Sequence, residues 1–308
     1  MPLSACLLSG GVGGARMARA LDLVDDVDLT VVVNVGDDAL THGVYVSPDL
    51  DTVLYTLAGV EGPQGWGLAE DDHKVMDSMA WLGADTTFRI GDRDLATNLF
   101  RTSELSAGRT LSDVTASLVE SFEIEARVIP VTDDPVRTVI HTADGPISFQ
   151  EYFVHRRHQD PVEDLVYQGS GEARPAPGVL EAIGGCDVVI IAPSNPPLSI
   201  WPILNVPGIT DAVAAAERVI AVSPLIGGKA LKGPAAEVMV ALGLPPGNEG
   251  VLAAYDGLVT DLVVDHEDAA DRQTLSGPDL HVHVTGTRIA EPEQAAVFGS
   301  WITDLASR

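Results

Sequence analysis

The sequence predicts an α/β fold: a Rossmann-like, mostly parallel sheet with a helical cap and a small antiparallel β insertion. Three observations predict it. Short β-branched and aliphatic runs are apolar at nearly every residue, which suits strands buried on both faces of a parallel sheet. Each run opens into a loop of small and polar residues, and helical patterns separate the runs. One central stretch changes to short β-rich segments broken by turn residues.

In chain order, Leu3–Leu8 opens into Ser9-Gly10-Gly11-Val12-Gly13-Gly14, and a helical pattern follows over Ala15–Leu23. Leu29–Val33 opens into Asn34-Val35-Gly36-Asp37-Asp38. Pro48 and Asp49 are start signals for a helix over Asp51–Leu57. Helical patterns at Asp72–Leu82, Arg93–Ser103 and Leu111–Phe122 have no strong strand between them, and predict the cap over residues 60–125. Arg127–Val131, Arg137–His141 and Ile147–Val154 are β-rich, with a turn at Ala143-Asp144-Gly145-Pro146, and predict the antiparallel insertion over 126–175. Over 176–308 the chain returns to the α/β core. Asp187–Ile191 opens into Ala192-Pro193-Ser194-Asn195-Pro196-Pro197, Arg218–Val222 opens into Ser223-Pro224-Leu225-Ile226-Gly227-Gly228, and Glu291–Leu305 reads as a closing helix. Residues 1–308 are expected to form one α/β domain.

The 308 residues are 45% apolar and 20% charged, enough to bury a substantial core. The net charge of −27, from 18 basic and 45 acidic residues, repels nucleic-acid phosphates and anionic membranes. A phosphate ligand must then be held locally by backbone amides, a metal or a few placed arginines. Cys6 and Cys186 each lie in an apolar run that reads as a buried strand, which fits a reducing compartment, and no zinc spacing occurs. The N-terminus lacks a signal-peptide pattern, and no apolar run approaches the roughly 20 residues of a membrane helix. The expectation is a cytoplasmic protein.

Ligands of open α/β sheets sit outside the carboxyl ends of the strands. The four loops above all fall there, so a composite site is expected. The amides of Gly11, Val12, Gly13 and Gly14 can approach phosphate oxygens at a helix start; a tight turn without ligand is the alternative. No Gly-Lys-Ser/Thr follows, and Arg16 stands where a dinucleotide fingerprint needs its third glycine. Arg16 either reaches a phosphate or carboxylate, or is a first-turn surface residue. Asp37 and Asp38 suit a ribose or Mg²⁺, whose hard cation takes carboxylates plus phosphates. Asp49 and Asp51 add a second acidic pair; either alone reads as an N-cap, but two clusters favour metal-assisted phosphate chemistry. Arg93, within Gly91-Asp92-Arg93-Asp94, runs against the preference for acids at a helix start, so it is held for a ligand or sits in a surface ion pair. Ser194 and Asn195, stiffened by Pro196, offer donors and acceptors. The loop with Ser223, Gly227 and Gly228 is similar, and Lys229 either adds a charge there or is solvated. His42 lies between the acidic clusters. No Ser-His-Asp, Cys-His or Gly-x-Ser-x-Gly arrangement stands out.

Taken together and in order, Leu8–Arg16, Val33–Asp38, Pro48–Thr52, Gly91–Thr97, Ala192–Pro196 and Ser223–Lys229 resemble one family. It is the 2-phospho-L-lactate transferases of coenzyme F-420 biosynthesis, including the actinobacterial phosphoenolpyruvyl transferases, and the resemblance runs to about residue 265. It implies an acceptor, the deazaflavin Fo (7,8-didemethyl-8-hydroxy-5-deazariboflavin), and a donor, guanosine diphosphate esterified to lactate or enolpyruvate. It also implies attack by the terminal ribityl hydroxyl, release of GMP, a need for Mg²⁺, a product that is F-420-0 or its dehydro form, and a homodimer. Carried over by motif, Asp51 and Arg93 are catalytic and contact Fo; His42, from its position between the acidic clusters, is expected to line the Fo site. Asp37, with help from Asp49 or Asp51, is implied to hold Mg²⁺. Gly11–Gly14, Arg16, Ser194, Asn195, Pro196, Ser223, Gly227, Gly228 and Lys229 cradle the guanosine diphosphate. Asn34–Asp38 and Ala15-Arg16 look like the enolpyruvate branch and Val131–Val154 like the lactate one; enolpyruvate is expected. The alternatives are a nicotinamide-type oxidoreductase, weakened by the missing third glycine, and a non-catalytic nucleotide-binding regulator, weakened by the Gly91–Thr97 motif.

Overall fold

The computed structural model describes residues 2–231 and 233–308. Its centre is a seven-stranded sheet in which every neighbouring pair is parallel. In space the strands run Arg127–Pro130, Val27–Val33, Leu3–Ser9, Val188–Ile191, Val219–Val222, Asp261–Val264 and His281–Val284. From Leu3–Ser9 the chain builds outward to one side, then returns to Val188–Ile191 and builds to the other. The order therefore reverses between those two strands, which is where doubly wound sheets open a crevice for ligands. Burial on both faces explains the continuous apolar runs: Cys6, Leu7, Leu8, Val31–Val33 and Val188–Ile191 are all fully enclosed.

The glycine-rich segment is itself the first turn of a helix, Gly11–Asp22, which starts earlier than its apolar pattern suggests. This helix packs between Pro48–Leu57 and Pro292–Ala306. The second contact is close enough that a Cβ on Gly299 would lie 1.8 Å from the Ala20 carbonyl oxygen. Arg19 reinforces that side, pairing with Glu61 at 2.8 Å and donating to the Ala290 carbonyl at 2.6 Å.

The three helices expected as a cap are Lys74–Trp81, Asp92–Ser106 and Leu111–Ser121, close to the expected positions. The last begins with a reciprocal capping box between Thr110 and Asp113, and its buried Leu111, Val114 and Leu118 form one apolar face. That face covers Arg127–Pro130. Arg127–Val131, expected in the antiparallel insertion, is instead the edge strand of the main sheet, paired with Val27–Val33. A preceding helix that can cover Val128 and Ile129 makes it an ordinary α-then-β return.

The insertion is the three-stranded antiparallel sheet Gly145–Ser148, Arg137–Thr142 and Asp164–Gln168, with Arg137–Thr142 central. The expected strand over Ile147–Val154 stops at Ser148 and becomes a helical turn over Glu151–His155, because Tyr152 is drawn into a small core with Ile140 and Leu198. Asp261–Val264 and His281–Val284 were not anticipated as strands. Cys6 is fully buried, but Cys186 is half-buried after the helix Val179–Gly185 rather than in a strand, and its thiol donates to the Ile183 carbonyl. Among the described residues no helix is long and apolar enough to cross a membrane.

Candidate functional site

The glycine helix and the 192–196 loop meet across the switch point. Ser194 Oγ donates to the Gly10 carbonyl at 2.6 Å, and the Gly10 amide lies 3.3 Å from the same oxygen. A Cβ on Gly13 would sit 2.2 Å from the Pro193 carbonyl oxygen, and one on Gly14 2.3 Å from Ser9 Oγ. These two glycines therefore let protein approach protein. Gly11 has φ +64°, a left-handed conformation suited to glycine, and its amide donates to Asp49. The amides of Val12, Gly13 and Gly14 lie in the first turn, where a helix has no carbonyl partners of its own. Arg16 follows in the next turn, half-buried, with its Nε lacking a hydrogen-bond partner. Asn195 accepts from the Leu198 amide at 3.3 Å, so its side-chain oxygen caps the buried turn that begins at Pro196.

The acidic residues sit beside this junction. Asn34 Nδ2 donates to Asp49 Oδ2 at 2.9 Å, while its own oxygen receives the Gly36 amide. Neither Asp49 nor Asp51 is an N-cap. Ser47 holds that position, and its hydroxyl goes to Asp38 at 2.8 Å. Asp37, Asp38, Asp49 and Asp51 are each at most 7% exposed. Burial pushes the Asp37 carboxyl well up, with Asp49 and Asp38 adding repulsion. Burial likewise raises Asp49 to about 6 against the opposing bond from Asn34. Asp37 Oδ1 and Asp38 Oδ1 are enclosed without a hydrogen-bond partner.

Asp51 departs from this group. Residues two apart on a helix do not share a face, so Asp49 and Asp51 project differently. Asp51 is gripped by Arg101, a residue the sequence reading missed. Arg101 Nη1 lies 3.1 Å from Asp51 Oδ2 and Nη2 bonds Asp51 Oδ1. Burial raises the Asp51 carboxyl and the guanidinium opposes that rise. The polar stripe Asp94, Asn98, Arg101, spaced for one helix face, was the available signal. Among the described residues no three Asp, Glu, His or Cys side chains form a metal-holding group. The three aspartates expected to hold Mg²⁺ thus resolve into Asp37 and Asp49 together, and Asp51 on an arginine.

Arg93 is exposed on the first turn of Asp92–Ser106. Its amide donates to Asp71 at 2.8 Å and its guanidinium to the Ala69 carbonyl at 3.0 Å. Asp71 also receives the Asp94 amide, and a Cβ on Gly91 would strike it at 2.1 Å. Asp94 Oδ1 accepts from Tyr55 at 2.8 Å, and burial together with Asp51 raises Asp94 to about 6. His42, at φ +52°, places a ring nitrogen 2.7 Å from the Phe88 carbonyl. It lines a cleft of about 250 Å³ with Thr41, Asp85, Gln150 and His155.

The 223–229 loop leaves the same rim two strands from Leu3–Ser9. Ser223 Oγ donates to Asn248 and accepts the Leu225 amide. In this loop, expected to cradle the guanosine diphosphate, the Gly227 and Gly228 amides donate to the Asp268 carboxylate at 2.8 and 2.9 Å. Lys229 is exposed. Asn248 and Asp268, also missed, border a cleft of about 360 Å³ with Glu249, Asp271 and Thr274.

Residues 5–290 match the 2-phospho-L-lactate transferase CofD family. The chain is 43% identical over 272 residues to a phosphoenolpyruvate transferase of Streptomyces coelicolor, covering 85% of each chain. It is 34% identical over 291 residues to a 2-phospho-L-lactate transferase of Methanosarcina mazei, covering 94% of this chain and 96% of the relative. Among solved structures, a UPF0052-family protein of Bacillus halodurans superposes with a TM-score of 0.64 at 17% identity, over 97% of this chain and 99% of that one.

Proposed function

The chain belongs to the 2-phospho-L-lactate transferase CofD family, and on that premise we propose that it moves a phosphoenolpyruvyl group from a guanosine diphosphate donor to Fo in coenzyme F-420 biosynthesis. The observation that carries this reading is the meeting of the first helical turn at Gly11–Gly14, Ser194 and the Asp37–Asp49 pair at the switch point. Such a site offers amides for phosphate oxygens and carboxylates for a cation. Phosphoryl-type transfer needs positioning and charge neutralisation more than covalent catalysis.

The terminal ribityl hydroxyl of Fo attacks the phosphorus bearing the three-carbon acid. The new O–P bond forms as the bond to the GMP oxygen breaks, GMP carries away that electron pair, and the hydroxyl proton is released. The amides of Val12, Gly13 and Gly14 orient the diphosphate, and Arg16 supplies positive charge one turn on. Ser194 holds the rim rigid. Ser223, Asn248 and Asp268 shape the far end of the nucleotide site. Arg93, exposed on the first turn of Asp92–Ser106, binds the acceptor.

The residues fit Mg²⁺: two repelling buried carboxylates, Asp37 and Asp49, and an unpartnered Asp37 oxygen call for a cation. Held by Asp37 and Asp49, Mg²⁺ would neutralise negative charge on the donor's phosphates. The greater similarity to the Streptomyces relative than to the Methanosarcina one supports enolpyruvate as the acid. A homodimer working in the cytoplasm, without nucleic acid or membrane, completes the reading.

The test is mass spectrometry of the product formed from Fo with each donor. The dehydro product, lighter by two hydrogens, is expected. A saturated product would reassign the donor. NADH binding without GDP binding would overturn the transferase reading altogether.

A further inference from the structure

Arg101 is 0% exposed, and it is the largest side chain so enclosed. Its Nη1 reaches Asp51 Oδ2 at 3.1 Å, Asn98 Oδ1 at 2.9 Å and the Tyr45 carbonyl at 3.3 Å, and its Nη2 takes the other Asp51 oxygen. Asn98 in turn donates to Asp94 Oδ1 at 3.2 Å, the oxygen that also accepts from Tyr55. Asp51 and Tyr55 are four apart on Pro48–Leu57; Asp94, Asn98 and Arg101 follow the i, i+4, i+7 spacing on Asp92–Ser106. Facing sides of two helices are thereby joined by a ring of side-chain hydrogen bonds. One helix carries Asp49 to the phosphate rim. The other carries Arg93, about 12 Å of helix rise before Arg101.

We propose that Arg101 is a positioning residue of the transfer reaction: its guanidinium fixes Asp51 in one orientation and pegs the acceptor-binding end of the cap helix against the rim. Asp51 is then a fixed anion rather than a proton acceptor, since both of its oxygens face a guanidinium. A bidentate fork is needed because an ammonium cannot hold both oxygens in plane. A buried ion pair kept only for stability is readily matched by apolar residues of similar volume, so the two roles can be separated.

This inference rests on the proposed reaction, and the experiment separates the two. Wild type, Arg101→Lys, and the paired Asp51→Leu/Arg101→Met variant are compared for melting temperature, GDP affinity and steady-state kinetics with Fo. In Arg101→Lys, kcat is expected to fall at least about tenfold while the KM for donor and the GDP affinity stay within about twofold. The same substitution made on Asp51→Asn is expected to add no further loss. The paired apolar variant is expected to fold and bind GDP but not turn over, and it decides the matter if Arg101→Lys does not fold. Wild-type kcat in Arg101→Lys, additive losses, or turnover by the apolar pair would each overturn the proposal. Wild type inactive on Fo with both donors would sink the reaction instead. Amide exchange across Asp92–Ser106 then decides alone: faster exchange in Arg101→Lys supports the peg and unchanged exchange refutes it.

Discussion

Ser194 and Gly10, 184 positions apart in the chain, are hydrogen-bonded through the Ser194 hydroxyl, which donates to the Gly10 carbonyl at 2.6 Å. The bond ties the last residue before the glycine helix to the loop on the other side of the switch point. Removing it leaves buried Gly10 backbone groups without their partner. Ser194→Ala is expected to cost about 1–2 kcal/mol of stability and to weaken GDP binding. Calorimetry of both properties checks this, and an unchanged GDP affinity would mean that the loop is not part of the nucleotide site.

Gly13→Ala is expected to be more severe. Its Cβ would need to occupy space 2.2 Å from the Pro193 carbonyl oxygen, so the two loops must part. GDP affinity is expected to fall at least about tenfold with a clear loss of thermal stability. Gly171→Ala, where nothing lies within 4 Å of the added carbon, is the control and is expected to be silent. Equal behaviour of the two variants would contradict the close-approach account.

The acidic pair gives an unusual pH dependence. Burial holds Asp49 at about 6, above its ordinary value of 3.8, so the folded state binds the extra proton. Stability from this group is full below the unfolded pKa and is lost as pH rises from about 4 through about 6. The shift corresponds to roughly 3 kcal/mol at most. The metal-free protein is therefore expected to melt higher at pH 5 than at pH 7. Asp37→Asn, which removes a second buried carboxyl whose pKa is also raised, is expected to narrow that difference without abolishing it and to raise the neutral-pH melting temperature. Added Mg²⁺ is expected to raise the pH 7 melting temperature in wild type and not in Asp37→Asn.

Turnover should follow the same residues. Chelation by EDTA is expected to silence wild type, and Mg²⁺ to restore it. Asp37→Asn is expected to lose at least about a hundredfold in kcat with the fold intact. Activity persisting in chelator would remove the cation from the reaction.

Arg93→Ala is expected to weaken Fo binding while sparing GDP. The side chain is exposed and donates to one carbonyl, so its loss should leave the melting temperature nearly unchanged. Fluorescence titration of Fo separates this outcome from a surface role, for which Fo affinity would not move.

Much of this arrangement was legible in the sequence because buried parallel strands announce themselves as continuous apolar runs. Leu3–Leu8, Leu29–Val33, Asp187–Ile191 and Arg218–Val222 all become neighbours in one sheet, with their loops on one rim. Arg127–Val131 reads as part of the antiparallel insertion, whereas its strand joins the main sheet, because a short β-rich run carries no mark of its partner. His281–Val284 was passed over because its histidines interrupt the apolar pattern. The site was readable in its residue types and less so in their duties. Gly227 and Gly228 have their amides taken by Asp268, a residue forty positions on, and no local pattern foretells that bond. Asp51 carries the same letter as Asp49 but a different partner, since side-chain direction depends on the helix phase and on a buried arginine fifty positions away.

The close contact between Gly299 and Ala20 has a temporal meaning during synthesis. The helix Gly11–Asp22 emerges from the ribosome long before Pro292–Ala306, so one of its flanks stays bare until the segment around residue 299 has been made. A nascent chain interrupted before that point would hold every aspartate of the rim and still lack the wall that steadies it. Competence to bind substrate should therefore arrive only after the segment around residue 299 has been translated.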